Sequence, residues 1–325
     1  MGRELTAVEL FAGAGGMALG THRAGFRHLA LLEVSEHAVS TLRLNAESGS
    51  GVRPALPLEP VDVRSFDYAP LQDASVDLLV AGAPCQPFSL GGVHRGQEDE
   101  RNLFPEVFRA QRELMPKAVL LENVRGLTRP SFRPYLEYIL LQLALPGVSR
   151  GEDEQWKPHK ERLQKALSGG NHGDAPAYDV WIAVLDCANF GVPQRRHRVF
   201  MTALRNDIGP HWAWPHRTHS KDLLLYAQHG DHTYWDAHGM DRPEELEPVQ
   251  VALPVTTNGE ARWMTVRDAL ADVPEPSPRK PHPHHPNHIG IPGARIYPGH
   301  TGSPVDEPSK ALNGSYPIES DPSAM

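Results

Sequence analysis

The stretch Thr6-Ala7-Val8-Glu9-Leu10-Phe11-Ala12-Gly13-Ala14-Gly15-Gly16 restricts the fold more than any other part of the chain. An apolar run suited to a buried strand meets a glycine-rich turn, and Met17 to Ala24 then reads as a helix. Strand, turn and helix in that order predict a unit in which a ligand approaches bare backbone N–H groups at the helix start. Leu29 to Val34 predicts the next strand, and Glu33 near its end lies twenty residues beyond Gly13. An acidic side chain at about that interval is placed to hydrogen-bond a pair of ribose hydroxyls. Asp62, after a proline-rich loop, is a third candidate and could reach an adenine amino group. A glycine-rich turn also serves simply to turn the chain tightly. With carboxylates at two successive strand ends, nucleoside binding is the better reading.

A second strand-to-turn junction carries a thiol. Ser75 to Ala81 is apolar enough for a buried strand, and Gly82 and Pro84 stop it, so Cys85 is expected on a rigid turn at its C-terminal end. Ligands of open α/β sheets bind in the crevice at those ends. Cys85 is therefore either a nucleophile or a small apolar core residue, the commoner fate of a free cysteine. The polar, glycine-interrupted stretch 90–105 reads as a lid or as a surface loop. A helix from Leu103 to Leu114 leads to the strand Ala118–Leu121, which ends in Glu122-Asn123-Val124. Glu122, on the strand expected beside that of Cys85, is placed for acid/base work or for capping a helix.

Further on, apolar side chains at helical spacing predict a core-packed helix over 131–144. Residues 147–177 read as an insertion with a short helix from His159 to Leu167. Val180, Ile182 and Val184 alternate as in a strand and lead into the turn Asp186 to Arg198, with a partner strand from Val199. Arg195, Arg196 and Arg198 make that turn either a local anion site or a solvated basic loop. Cys187 is expected to be structural. Beyond about residue 205 only Thr265 to Ala271 looks helical, and 275–325 is expected to be irregular. His282, His284, His285 and His288 match no common zinc spacing, and no metal is expected.

Length and composition bound these readings. At 325 residues the chain is long enough for about two domains, here 1–205 and 206–325. No segment resembles a signal peptide or is long enough to span a bilayer, so no membrane partner is expected. Two cysteines fit a reducing cytoplasm. A net charge of −8 is a mild argument against nucleic acid, which a local basic cleft can offset.

Taken together, the motifs resemble those of the DNA (cytosine-5) methyltransferase family, of the bacterial restriction-modification type. The resemblance covers roughly 6–205 and, more loosely, 265–312. It implies a Rossmann-like S-adenosylmethionine-dependent domain of α/β class, followed by a smaller, irregular target-recognition domain. Glu9 to Gly16 resembles the family's first cofactor motif, which assigns Phe11, Gly13 and Gly15 to S-adenosylmethionine. Glu33 and Asp62 match the ribose and adenine contacts. Pro84-Cys85-Gln86 with Phe88-Ser89 resembles the nucleophile motif, placing Pro84 at the cofactor and Ser89 at the substrate. Glu122-Asn123-Val124 resembles the motif that holds the target base, and Gln194 to Arg198 fits Gln-x-Arg-x-Arg, which carries over Arg196 and Arg198.

The implied partner is double-stranded DNA with the target base flipped out, and the implied products are 5-methylcytosine and S-adenosylhomocysteine. The family's closing segment is not recognisable before Met325, so a second polypeptide supplying it, or a truncated enzyme, is an expectation. A tRNA-methylating enzyme and a non-catalytic DNA- or cofactor-binding remnant are the alternatives.

Overall fold

The computed structural model describes residues 3–84, 102–209, 212–243, 259–285, 288–290 and 302–311. The chain divides into two compact units. The first comprises Met1–Leu185 with Arg198–Trp214, and the second Asp186–His197 with Pro215–Met325. The turn 186–197, grouped above with the N-terminal part, thus belongs to the second unit.

In chain order the elements up to residue 205 are β1 (Leu5–Leu10), α1 (Gly16–Arg23), β2 (Phe26–Leu32), α2 (Glu36–Ser48), α3 (Ala69–Gln72), β3 (Leu78–Ala81), α4 (Phe104–Leu114), β4 (Ala118–Val124), α5 (Arg133–Ala144), α6 (Trp156–Gly169), β5 (Tyr178–Asp186), β6 (Gln194–Arg195) and β7 (His197–Arg205). The first unit is a Rossmann-like α/β structure around a six-stranded sheet of order β2-β1-β3-β4-β7-β5. β2, β1, β3 and β4 run parallel, and β7 lies antiparallel to β4. Helices cover a parallel sheet on both faces, so its strands must be apolar throughout. β1 is buried from Thr6 to Leu10 and β3 over its whole length. The strand order reverses between β1 and β3, which opens a crevice at their C-terminal ends.

Local chemistry sets the helix ends. Ser35 caps α2 by accepting from the Ala38 amide (3.4 Å), and Gly49 closes it in the left-handed region at φ 76°. α6 is longer than the expected His159–Leu167. Trp156 extends it at the start by packing on Tyr135 and Tyr138 of α5, with ring centroids 5.7 Å away in both cases. The buried Tyr138 hydroxyl meets His159 Nδ1 at 2.8 Å. The 147–177 region therefore docks a helix against α5.

In the second unit β6 is followed by β8 (His219–Ser220), α7 (Lys221–His229), α8 (Thr233–Ala237), β9 (Ala261–Arg262), α9 (Val266–Leu270) and β10 (Ser309–Lys310). Pairs β6–β10 and β8–β9 run parallel. Ala188, Leu224, Ala227, Tyr234, Trp235 and Trp263 form a separate small core. α9 agrees with the expectation for 265–271, whereas α7 and α8 were not foreseen. The run Leu223-Leu224-Leu225 hides helical spacing, and tertiary packing against Tyr234 and Trp235 decides the outcome. Among the described residues, no helix is long and apolar enough to cross a membrane.

Candidate active site

The end of β1 is built to expose backbone. Phe11 turns the chain at φ 58° and packs partly buried on the core. Gly15 caps α1 in the left-handed region at φ 88°, and a Cβ there would lie 2.6 Å from Leu42 Cδ2 on α2. Only glycine satisfies both demands. Gly13, at φ 55°, has open space where its Cβ would stand.

Glu33 follows β2 and closes this turn from the side. Its Oε2 accepts from the Gly13 amide at 2.8 Å and its Oε1 from the Ser35 amide at 2.9 Å. Each oxygen retains a lone pair for a further donor. The Val61 amide donates to the Glu33 carbonyl (2.8 Å), which sets the 60–62 strip alongside residue 33. Asp62 thus comes near the same crevice. Its carboxylate is gripped by Arg64, whose Nε lies 3.0 Å from both oxygens, and the hydrogen bonds from Arg64 hold it below the usual carboxylate range. Asp62 caps the 3₁₀ turn Val63–Ser65 rather than ending a strand as expected, yet bare backbone with the Glu33 and Asp62 carboxylates suits a ligand with ribose hydroxyls and an exocyclic amine.

Across the strand reversal lie Gly82, Ala83 and Pro84. β4 runs beside β3 with Ala81 opposite Leu121, so Glu122 stands next to Gly82. A Cβ on Gly82 would be 3.9 Å from Glu122 Oε2. On the other side β7 places Phe200 opposite Glu122 and Arg198 opposite Val124. Glu122 and Arg198 are diagonal neighbours on one sheet face, and Arg198 Nε reaches Glu122 Oε1 at 2.7 Å. Both side chains are largely shielded, at 19% exposure for Arg198 and 26% for Glu122.

Asn123 points to the opposite face and is buried. Its Nδ2 donates to the Ala83 carbonyl at 3.1 Å, while its Oδ1 accepts from the Val124 amide at 2.9 Å. It holds the start of the turn that leads to residue 85. Cys85, Ser89 and most of the stretch read as a lid lie outside the described residues, within 85–101.

Arg196 lies in the second unit, apart from Arg198 in the first. The buried Asp186 organises its turn by accepting from the Arg196 amide (3.0 Å) and the Ala188 amide (3.3 Å), and it also meets His197 Nε2 at 3.2 Å. Arg195 stacks its guanidinium over Trp263, 5.8 Å from the ring centroid.

One polar cluster was not singled out by sequence. Glu9 and His28, on adjacent strands β1 and β2, have fully buried side chains, with Glu9 Oε2 3.9 Å from His28 Nε2. His28 Nε2 also meets Thr21 Oγ1 at 3.0 Å. Burial pushes the Glu9 carboxyl up to about 8, against the opposing pull of the Ala18 amide. Burial, helped by the charge of His22, lowers His28 to about 4. The motif containing Glu9 was legible, but the signal for its side chain, a lone acid inside an apolar strand, was read only as part of that motif.

The profile of the C-5 cytosine-specific DNA methylase family matches residues 5–147 and 159–253. The chain is 35% identical over 259 residues to the type II methyltransferase M.NgoMIV of Neisseria gonorrhoeae, covering 78% of this chain and 70% of that protein. It is 32% identical over 216 residues to the type II methyltransferase M.NaeI of Lentzea aerocolonigenes, covering 66% and 44%. With the type II methyltransferase M.AquIA of Picosynechococcus it shares 32% over 219 residues, covering 65% and 76%. The chain thus spans between 44% and 76% of the length of these relatives.

Proposed function

The chain belongs to the C-5 cytosine-specific DNA methylase family, and on that premise we propose that it methylates C5 of a flipped cytosine in duplex DNA through a temporary bond to Cys85. The ion pair between Glu122 and Arg198, beside Gly82 at the sheet's C-terminal edge, carries this reading. C5 of cytosine is too weak a nucleophile to act unaided. Addition of the Cys85 thiolate to C6 forms an S–C6 bond and pushes the ring electrons toward C5. Glu122, once it has taken up a proton, shares that proton with N3 and so stabilises the charge that develops. Arg198 orients the Glu122 carboxyl and faces the base carbonyl. Asn123 fixes Ala83, and with it the backbone entering the nucleophile turn.

S-adenosylmethionine, when bound, supplies an electrophilic methyl group and leaves as S-adenosylhomocysteine. Gly13 and Gly15 leave its approach clear, Glu33 takes the ribose hydroxyls, Asp62 the adenine amine, and Phe11 and Pro84 wall the crevice. Loss of the C5 proton then returns the electrons that expel the Cys85 thiolate. The base must leave the duplex first, because C6 is covered in the stack; Ser89 is assigned to the displaced nucleotide.

Duplex DNA in which 5-fluorocytosine replaces cytosine blocks loss of the C5 substituent and traps the adduct. Incubation with S-adenosylmethionine is expected to give a covalent complex whose peptide map places the DNA on Cys85. A Cys85→Ser chain that still traps DNA would overturn the assignment.

A further inference from the structure

Arg125, Arg129 and Arg133 all fall between Glu122 and Glu137, with no acidic residue among 123–136, in a chain of net charge −8. The segment leaves β4 as two short 3₁₀ turns, Arg125–Thr128 and Pro130–Phe132. Leu127 and Phe132 are buried in the first unit's core and pin these turns from beneath. The apolar pair faces in, so the arginines are left on the outer side of a rigid segment. Arg125, Gly126, Thr128, Arg129 and Pro130 line a concavity of about 470 Å³.

Their ionic partnering separates the three. Arg133 pairs with Glu137 at 3.4 Å. Neither Arg125 nor Arg129 forms an ion pair with a carboxylate among the described residues. The Thr128 hydroxyl donates to the Arg125 carbonyl (2.9 Å) and ties the turn internally. Two arginines lining one concavity, with no carboxylate paired to either among the described residues and on a pinned turn, suit an anionic group with several acceptor oxygens. At a strand's rise per residue, Arg125 stands about 10 Å beyond Glu122.

We propose that Arg125 and Arg129 form a cradle for backbone phosphates of the DNA strand whose base reaches Glu122. This rests on the reading of Glu122 as the base-holding residue. It adds the strand's path, which leaves the sheet edge over the 125–130 turn.

The test measures binding of the full-length chain to a fluorescein-labelled 30-base-pair G·C-rich duplex across a range of KCl concentrations. Each phosphate contact contributes about 0.9 to the slope of log affinity against log salt. Arg125→Ala/Arg129→Ala is expected to reduce that slope by about 1.8, and Arg125→Lys/Arg129→Lys to restore most of it. S-adenosylhomocysteine affinity, which these arginines do not touch, serves as the folding control. An unchanged slope in the alanine variant overturns the proposal. So does a slope that lysine fails to restore, or a change seen with a tRNA probe but not with the duplex. Adduct formation by the unmodified chain on 5-fluorocytosine DNA is scored separately. Loss of the adduct with the slope effect intact would sink the chemistry and leave the cradle standing.

Discussion

Glu122 Oε1 and Arg198 Nε lie 2.7 Å apart across the antiparallel pair β4–β7, and the register of that pair puts them on the same face. Arg198→Ala leaves a largely shielded carboxylate without its guanidinium. Methyl transfer to duplex DNA is expected to fall by about 10²–10⁴, the usual span for losing an acid/base group or its orientation. Affinity for S-adenosylhomocysteine should change less than about twofold, since the cofactor contacts are assigned to Gly13, Glu33 and Asp62 rather than to this pair. Tritium transfer under single-turnover conditions, with calorimetric titration of the cofactor product, separates the two effects.

Glu33 clamps the Gly13 and Ser35 amides, and in the proposed function it also receives ribose hydroxyls. Glu33→Gln replaces one acceptor oxygen by a donor and removes the charge. A hydrogen bond to a charged group contributes about 1.5–3 kcal/mol, so cofactor-product affinity is expected to drop at least about tenfold. If calorimetry finds no change, the carboxylate serves the turn alone.

Gly15→Ala meets two obstacles, a positive φ and a Cβ position 2.6 Å from Leu42 Cδ2. The backbone term alone costs about 1–3 kcal/mol. Urea unfolding should show a lower midpoint. Adding Leu42→Ala relieves the contact without relieving φ, so the double variant should remain less stable than Leu42→Ala by roughly the backbone term.

The buried Glu9–His28 pair shapes stability against pH. Glu9, raised to about 8 by burial, stabilises fully below its unfolded value of 4.5, and that stability drains as pH climbs toward 8. His28, lowered to about 4 by burial, behaves oppositely. Its stability is complete above 6.5 and is lost as pH falls toward 4. Between 4.5 and 6.5 the two slopes cancel, which predicts a plateau with a falling limb on either side. The alkaline limb, from 6.5 to about 8, should fall by about 1.4 kcal/mol per pH unit. Glu9→Gln keeps the volume and removes the titration. Chemical unfolding across pH should then show the alkaline limb flattened, and an unaltered limb would exclude Glu9 as its source.

Much of the first unit was legible because β1, β2 and β3 are buried on both faces. Val8, Leu10, Leu79 and Val80 read as core in any register, and Gly82 and Pro84 stop β3 at the expected place. The neighbour relation of β3 and β4, and hence of Gly82 and Glu122, followed from chain order. Other features need three-dimensional information. The Asn123 amide holds Ala83 and Val124, a geometry set by the opposite sheet face and not legible in the motif. Arg196 and Arg198 are two positions apart in sequence but fall in different units, because the chain passes from one to the other at 197–198. α7 and α8 were missed because short helices on a small aromatic core take their stability from Tyr234, Trp235 and Trp263 rather than from their own spacing. Glu9 was visible in the motif, but its confinement with His28 and Thr21 depends on α1 folding over the sheet.

The diagonal placement of Arg198 against Glu122 follows from how two antiparallel strands are aligned, not from any local peculiarity of either side chain. Sliding β7 by one residue along β4 would send the guanidinium to the far side of the sheet. A chain altered in this way could keep its circular dichroism, its compactness and its hold on the methyl donor while losing all turnover. Insertions or deletions of odd length near residue 198 are therefore the lesions most apt to yield a well-folded but silent protein.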